Sequence, residues 1–190
     1  MRLFAAVLPP EDVTAALAVE VDALRRLPGA DGLRWTGRTG WHFTLAFYGE
    51  VDGELVSELS ERLERAARRT EPFGLALRGG GHFGHGRALW VGAEGDLATL
   101  RLLAERAESA GRKAGVAPGE HRRYKPHLTL ARSRAAHDVR PHLAALDGFT
   151  GPAWTVTELV LVRSRLPKSG VPGEQPRYEA VGRSPLGASG

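Results

Sequence analysis

The sequence predicts an α+β fold in which two similar lobes face each other across a central cleft. Helical and extended segments alternate along all 190 residues, and no long Ser-, Gly- or Pro-rich linker divides them into independent domains. A five-residue phrase also occurs once in each half, as HFTLA at 42–46 and HLTLA at 127–131. Together these observations favour one unit with two pseudo-equivalent lobes.

Five regular segments are predicted in the first 70 residues. They are a strand at 2–8, a helix at 11–27, strands at 33–36 and 41–48, and a helix at about 53–70. The first helix has apolar residues at helical spacing and ends before Pro28 and Gly29, since proline and glycine stop helices. In the second helix, Leu55, Leu59 and Leu63 recur every four residues, which predicts one buried face.

The remaining segments continue the alternation. They are strands at 73–78 and 87–92 around the glycine-rich turn GGGHFGHG, a helix at 96–113, the second repeat strand, a short helix at 138–146, and strands at 154–163 and 177–182. Asp96 is the predicted N-cap of the long helix. Residues 1–182 are therefore predicted to form a single bilobal domain, and residues 183–190 a flexible tail.

Composition excludes several classes of protein. Because the chain has no cysteine, it has no disulfide framework, thiolate zinc site or cysteine nucleophile. The opening apolar run stops at Pro9 and Pro10 without a signal-peptide cleavage segment, and no apolar stretch is long enough to cross a membrane. These features predict a cytoplasmic protein without a membrane partner, with a monomer as the default state.

Positive charge is concentrated around the second repeat. The formal net charge is +4, but residues 121–140 hold six Arg and Lys residues against Asp138 alone, a local +5. Such a concentration beside a candidate site favours an anionic ligand, phosphate first. A solvated basic surface is the alternative interpretation.

The repeated phrase places polar side chains at strand spacing. Side chains alternate between the faces of a strand, so three are predicted on one face, His42, Thr44 and Ala46, and four on the other, Trp41, Phe43, Leu45 and Phe47. His127 and Thr129 likewise face away from Leu128 and Leu130. Each strand then offers an imidazole and a hydroxyl about 7 Å apart along the chain. Two such strands facing each other would surround a volume suited to a phosphate.

This set of groups suits the opening of a cyclic phosphodiester by water. One base must take the water proton and one acid must protonate the leaving oxygen, and two histidines can share those tasks near neutral pH. The threonine hydroxyls can donate to the phosphate oxygens, and Arg132 can stabilise the developing charge. No metal and no other cofactor is required.

Several segments resemble one known family. They are MRLFAAVLPPE, WHFTLAFYGEV, GHFGHGRALWVG, YKPHLTLAR, TELVLVRSRL and PRYEAV. Together with the paired His-x-Thr phrases, they resemble the 2H phosphoesterase superfamily, and within it the bacterial and archaeal RNA 2',3'-cyclic phosphodiesterases, also called 2'-5' RNA ligase-like proteins. The resemblance covers nearly the whole chain. It implies a bilobal α+β fold in which antiparallel sheets line the cleft and helices lie outside.

The resemblance also implies roles for five residues. His42 would donate a proton to the leaving 3'-oxygen, and His127 would accept the proton of the attacking water. Thr44, Thr129 and Arg132 would bind the phosphate. The substrate would be an RNA end with a 2',3'-cyclic phosphate, such as a tRNA fragment, or a small cyclic-phosphate nucleotide, and the product a 2'-phosphate.

Three further residues are predicted to contact substrate. Phe83, on the glycine-rich turn, is a candidate for stacking on a nucleobase, whereas Trp90 is predicted to belong to the core. Tyr124 and Lys125 flank His127 and either touch the RNA backbone or border the cleft.

The other histidines are given no catalytic role. His82 and His85 are interpreted as hairpin-loop residues rather than metal ligands. His121, His137 and His142 are predicted on the surface. Two functions remain as alternatives to hydrolysis: a ligase that joins RNA halves through a 2'-5' bond, and a non-catalytic module that binds RNA ends.

Overall fold

The computed structural model describes residues 1–116 and 123–188, and within them nine strands and four helices. In chain order these are β1 Arg2–Val7, α1 Glu11–Leu24, β2 Arg34–Trp35, β3 Phe43–Glu50, α2 Gly53–Arg68, β4 Phe73–Phe83, β5 Ala88–Gly95, α3 Leu97–Lys113, β6 Leu128–Arg132, α4 Arg140–Asp147, β7 Trp154–Val156, β8 Glu158–Arg165 and β9 Arg177–Pro185. Asp96 accepts a hydrogen bond from the main-chain N–H of Thr99 at 3.0 Å, which confirms the predicted N-cap of α3.

The strands form two antiparallel sheets. The first has the order β3-β1-β8-β9 and the second the order β2-β6-β5-β4-β7. Helices α2 and α3 pack on the first sheet, and α4 packs on β4 of the second. The two repeat strands, β3 and β6, lie in different sheets, so the predicted α+β fold with two antiparallel sheets is confirmed. Each lobe mixes strands from distant parts of the sequence, because β1 and β3 pair in one sheet with the C-terminal strands.

The two faces of the first sheet have different partners. Leu3, Ala5 and Val7 of β1 point into the large hydrophobic core that the helices cover. The alternate residues Phe4 and Ala6 form a small cluster with side chains of β8 and with Tyr178 on the opposite face. This opposite face, with Phe4, Ala6 and Tyr178, is called the cleft face below.

Both repeat strands contain a β-bulge at the same place. Opposite β3, Ala6 pairs with Thr44 and Ala5 with Ala46, so Leu45 is the extra residue. Opposite β6, strand β5 pairs with Thr129 and then with Ala131, so Leu130 is the extra residue. Because a bulge adds one residue to a strand, the side chains beyond it lie on the opposite face from the one that strict alternation predicts. The phrase HxTLA therefore encodes a bulged strand and not a regular one.

The bulge in β3 corrects the predicted orientation of Phe47. Phe47 pairs with Phe4, which lies on the cleft face, and it is 50% exposed rather than buried with Phe43. Ala46 packs against the core instead of sharing the face of His42. Tyr48 turns inward and donates its hydroxyl to the carbonyl of Ala107 at 2.8 Å. The predicted strict alternation thus holds only as far as Leu45.

The glycine-rich segment is mostly strand, which corrects the predicted turn. Strand β4 continues to Phe83, and only residues 84–87 reverse the chain. A Cβ on Gly81 would lie 2.2 Å from the indole ring of Trp90, and one on Gly80 would lie 2.5 Å from Leu146. Glycine is needed here because large side chains from neighbouring elements cross the strand.

The predicted strand at 154–163 is wrong, because it is two strands in two sheets. Strand β7 pairs with β4 in the second sheet, whereas β8 pairs with β1 and β9 in the first. Thr157 lies between them, and its carbonyl accepts a hydrogen bond from the main chain of Leu186 at 2.9 Å. The chain crosses between lobes at this residue without a glycine or proline to mark the break.

The predicted start of the flexible tail at residue 183 is also wrong. Strand β9 runs to Pro185, and Leu186 is only 7% exposed. The main-chain N–H of Gly187 donates to the carbonyl of Ala67 at 3.0 Å. Burial of one leucine and continued pairing with β8 hold this segment on the protein, and the final residues 189–190 lie outside the described part.

Two further sequence predictions are settled by the packing. His142 is fully buried beside Trp35, with ring centroids 5.9 Å apart, so its predicted surface position is wrong. His137 is half-buried and its Nε2 hydrogen-bonds with the Gly29 carbonyl at 2.7 Å, while His121 lies outside the described residues. Among the helices described, none combines the length and the apolar character required to cross a membrane.

Candidate active site

The two motif histidines stand in equivalent positions in the two sheets. His42 immediately precedes β3, and His127 immediately precedes β6. The Nδ1 atom of each ring hydrogen-bonds with a main-chain carbonyl two residues earlier, that of Gly40 at 2.8 Å and that of Lys125 at 2.7 Å. A carbonyl only accepts hydrogen bonds, so Nδ1 carries the hydrogen in both rings. The Nε2 atom is then the nitrogen left for proton transfer.

The motif threonines lie two residues beyond the histidines. Thr44 Oγ1 is 3.0 Å from His42 Nε2, so the predicted sharing of a face by His42 and Thr44 is confirmed. Since the neutral Nε2 is an acceptor, the Thr44 hydroxyl donates to it. Thr129 lies opposite Trp90 in the second sheet, and its hydroxyl has no hydrogen-bond partner among the described residues. A ligand can therefore take this hydroxyl without displacing any group of residues 1–116 and 123–188.

Two aromatic rings that sequence reasoning missed enclose His42. The Phe4 ring is tilted by 30° against the imidazole with a centroid distance of 4.6 Å, and the Tyr178 ring meets it edge-on at 5.5 Å. A Cβ on Gly40 would lie 3.0 Å from the Tyr178 ring, so glycine allows this approach. Phe4 and Tyr178 therefore fix the plane of the His42 ring.

A second pair of aromatic rings lies beside His127. The Phe83 ring meets the imidazole edge-on at 4.9 Å, and the Trp90 ring lies at 6.1 Å. Lys125 Nζ is 5.1 Å from the centroid of Trp90 and 6.0 Å from that of Phe83. Trp90 is buried, as predicted, whereas Phe83 is 38% exposed. Each histidine thus has one backbone carbonyl and two aromatic rings as neighbours.

The bulge at Leu130 brings Arg132 to the face of His127 and Thr129. Leu130 and Ala131 both enter the core, so the next side chain turns to the opposite face. Arg132 is exposed and has no carboxylate partner in the described segments. It also lies directly opposite Arg34 of β2, another cation. Two guanidinium groups that lie opposite each other on adjacent strands repel each other, and an anion bound between or beside them would relieve this repulsion.

Burial and positive charge lower the pKa of both motif histidines. Burial lowers the pKa of His42 to about 4, the charges of His127 and Arg132 act in the same direction, and the Gly40 carbonyl opposes them. Burial also lowers the pKa of His127, with Arg132 and Lys125 adding to the effect against the Lys125 carbonyl. Because Arg132 acts on both imidazoles, its charge lies within reach of both. Both rings are neutral near pH 7 in the free protein.

The lowered pKa of His42 predicts that the protein loses stability in mild acid. The pKa of an unfolded histidine is about 6.5, so between pH 6.5 and pH 4 the unfolded chain binds a proton that folded His42, with a pKa of about 4, does not. The free energy of unfolding therefore falls as pH falls through this window, by up to about 3 kcal/mol for this group. Urea denaturation at several pH values between 7 and 4 measures the effect.

The control for this prediction is His42→Asn, which keeps a donor for the Gly40 carbonyl but does not titrate. It should lose less stability than the wild type over the same pH range. Part of the pH dependence should persist, since burial also lowers the pKa of His127 and of His142. If the free energy of unfolding depends on pH equally in the two proteins, the pKa of His42 is not lowered by folding.

The remaining predicted site residues are placed less favourably for substrate. The hydroxyl of Tyr124 is buried without a hydrogen-bond partner in the described regions, which favours a border position over a contact with RNA. In the basic window, Arg140 pairs with Asp138 at 2.9 Å, and Arg122 lies outside the described residues. His82 Nδ1 accepts a hydrogen bond from the main chain of Gly86 at 3.1 Å. Across residues 1–116 and 123–188, no group of three or more His, Cys, Asp or Glu side chains is placed to hold a metal ion.

Paired His-x-Thr strands, one from each of two antiparallel sheets with helices outside, define a two-histidine phosphoesterase fold. A family model described as the 2'-5' RNA ligase superfamily matches residues 10–167. The chain therefore belongs to the 2'-5' RNA ligase superfamily, and the resemblance stated from the sequence is confirmed.

Individual relatives agree with this assignment. The chain is 37% identical over 178 residues to the RNA 2',3'-cyclic phosphodiesterase of Thermus thermophilus, covering 90% of this chain and 85% of that protein. Among solved structures, TT0787 of Thermus thermophilus superposes with a TM-score of 0.75 at 30% identity, covering all of both chains. LigT of E. coli in its apo form gives a TM-score of 0.75 at 26% identity, over 98% of this chain and 97% of that one.

Proposed function

We propose that the protein hydrolyses RNA 2',3'-cyclic phosphodiester ends to 2'-phosphomonoesters, without a metal ion, by acid and base catalysis shared between His42 and His127. The observation that carries the proposal is the pair of Nε2 atoms, presented from two sheets, together with Arg132, which acts on both rings and has no carboxylate partner among residues 1–116 and 123–188. The names of the relatives, RNA 2',3'-cyclic phosphodiesterases, support the same activity.

In the proposed reaction, His127 Nε2 accepts a proton from water as the water oxygen bonds to phosphorus. The bond between phosphorus and the 3'-oxygen breaks, and His42 Nε2 delivers a proton to that oxygen. The cyclic diester thus becomes a 2'-phosphate and a 3'-hydroxyl, and the two histidines have exchanged protonation states. The carbonyls of Gly40 and Lys125 hold the Nδ1 hydrogens, which keeps both Nε2 atoms directed at the substrate.

Because the pKa of His42 is low, this residue must take up its proton when the substrate binds. With a pKa of about 4, His42 is neutral in the free protein near pH 7 and cannot act as an acid. A bound phosphodiester anion beside the ring would favour the imidazolium and raise this pKa. It would also offset the positive charge of Arg132, which lowers the pKa of His42. Substrate binding and proton uptake by His42 are therefore coupled in this proposal.

Phosphate and nucleobase would be held by different groups. Thr44, Thr129 and Arg132 would donate to the phosphate oxygens, with Thr44 turning its hydroxyl from His42 to the ligand. Phe83 is the proposed platform for the terminal base, because it is partly exposed beside His127. Lys125 lies at the edge of this platform and can meet a phosphate of the RNA backbone. Solved complexes of E. coli LigT with 3'-AMP and with phosphate show that a relative binds such groups.

The proposal is tested with a short RNA that ends in a 2',3'-cyclic phosphate, incubated with the protein in EDTA and followed by ³¹P NMR. The expected product is a 2'-monophosphate only, because the acid protonates the 3'-oxygen. A 3'-monophosphate would contradict the assigned leaving group, and loss of activity in EDTA with recovery on adding zinc would contradict the metal-independent mechanism.

The same experiment distinguishes the alternatives. Addition of a second RNA with a 5'-hydroxyl would reveal 2'-5' joining, which uses the same two histidines with that hydroxyl in place of water. Binding of the cyclic end without turnover under any of these conditions would favour a non-catalytic module and contradict the hydrolase.

A further inference from the structure

An exposed aromatic residue and a cation lie together on the cleft face of the first sheet. Phe47 is 50% exposed, and the guanidinium of Arg2 lies over its ring, 4.7 Å from the centroid. Arg2 has no carboxylate partner in the part of the chain that the structure describes. Neither residue has a role in the reaction proposed above. The pair is called the Phe47–Arg2 platform.

The register of the first sheet places this platform on the same face as the catalytic groups. Residues directly opposite each other in an antiparallel pair share a face. Thr44 pairs with Ala6, and Phe47 pairs with Phe4, and both partners belong to the cluster on the cleft face. Arg2 is two residues before Phe4 on β1 and therefore also shares that face. Without the bulge at Leu45, Phe47 would point into the core.

A row of aromatic rings connects the platform with His42. Phe4, opposite Phe47, is in contact with both the His42 and Tyr178 rings. The charge of Arg2 acts on the phenol of Tyr178, whose pKa burial raises while Arg132 and Arg2 oppose the rise. Phe47 lies three residues beyond Thr44, about 10 Å along the strand. A group bound to the phosphate site thus has its neighbour within reach of the platform.

The chemistry of the platform fits a nucleobase and its phosphate. Proteins that bind single-stranded RNA combine aromatic side chains, on which bases stack, with cations that track the backbone. The other lobe also has an exposed aromatic ring with a cation near it, since Phe83 meets His127 and has the ammonium group of Lys125 at 6.0 Å from its centroid. In the repeat itself, Phe47 is the counterpart of Arg132, because each is the second residue after the bulge. The first lobe therefore offers a stacking group where the second offers the phosphate-binding arginine.

We propose that the Phe47–Arg2 platform binds the nucleotide that precedes the cyclic-phosphate end, with its base on Phe47 and its phosphate near Arg2. This inference rests on the proposed function and adds a substrate class to it: single-stranded RNA ends of at least two nucleotides are preferred over a mononucleoside cyclic phosphate.

The test compares two substrates on matched variants. The substrates are uridine 2',3'-cyclic phosphate and a dinucleotide that ends in the same group. With Phe47→Ala, kcat/KM for the dinucleotide should fall about 5- to 150-fold, the range for loss of one stacked base. The mononucleotide should be hydrolysed at an unchanged rate.

Arg2→Gln should weaken dinucleotide binding and reduce the dependence of that binding on salt concentration. Leu102→Ala, which truncates an exposed leucine on α3, is the control and should affect neither substrate.

Two outcomes would contradict the proposal that the Phe47–Arg2 platform binds the preceding nucleotide. An equal loss for both substrates in Phe47→Ala would assign Phe47 a structural role, and no loss for either would exclude contact with the preceding nucleotide. Calorimetric binding of a dinucleotide that ends in a 2'-phosphate tests the same contact without turnover. If the wild type hydrolyses neither substrate, the proposed function fails, and this binding measurement still decides whether the platform holds a base.

Discussion

Replacement of His42 or His127 by alanine is expected to lower kcat/KM for a cyclic-phosphate RNA end by about 10²- to 10⁴-fold, the contribution of one positioned acid or base. Each imidazole presents only its Nε2 atom for proton transfer, because a main-chain carbonyl occupies Nδ1. Alanine removes that nitrogen. The double variant should be little worse than the more damaged single one, since an acid without its base has little left to contribute.

The matched control for these variants is His85→Ala. His85 is exposed on the hairpin loop, and its side chain makes no hydrogen bond within the described residues. Its removal should leave kcat/KM unchanged. A rate within about tenfold of the wild type for either motif variant would contradict the assigned roles. In the wild type, kcat/KM should depend on pH with two limbs, and their apparent values belong to the histidine pair rather than to either residue.

The sequence predicts the histidine and threonine positions of the two motifs because strand spacing is a local property. His42 and Thr44 are two residues apart, so an extended backbone puts them on one face, where a hydrogen bond joins them. The repeat in the second half puts His127 and Thr129 on one face as well. Helix α3 and its N-cap were equally predictable, since both depend on residues within a few positions of each other. Local periodicity is therefore enough to find the paired motifs.

The bulges and the side-chain orientations beyond them are not predicted, because they depend on which strands pair. A bulge is a mismatch between two strands, so the extra residues Leu45 and Leu130 become visible only once β1 and β5 are in place. The bulges decide that Phe47 and Arg132 turn to the side of the histidines. Strict alternation puts both of these residues on the core side.

The aromatic neighbours of the His42 ring were missed for a related reason. Phe4 comes from β1 and Tyr178 from β9, and both are remote in sequence from His42. The segments MRLFAAVLPPE and PRYEAV hold these two residues and resemble the family, but nothing within them shows that they meet. Likewise, the crossing at Thr157 has no glycine or proline as a signal, because the apolar residues on both sides are buried in one continuous core.

Arg132→Met is expected to lower kcat/KM by about 10²- to 10³-fold, which is the usual effect of removing one fixed donor from a site of developing negative charge. It should also change the free protein. The positive charge of Arg132 lowers the pKa of both His42 and His127, because it disfavours a second cation nearby. Removal of that charge should therefore raise both pKa values, and NMR titration of the imidazole C–H signals measures the two shifts without any substrate.

Arg134→Met tests whether the position of the Arg132 charge matters or only the total charge of the basic window. Arg134 is exposed two residues beyond Arg132 in the same basic window, so both variants lose one charge. Only Arg132→Met should shift both histidines, since Arg132 alone of the two acts on their pKa values. Arg132→Lys should keep the pKa values near those of the wild type but recover only part of the rate, because an ammonium lacks the planar fork that binds two phosphate oxygens. Equal shifts in the two methionine variants would mean that the basic window acts as a diffuse field, and Arg132 would then lose its assigned place at the phosphate.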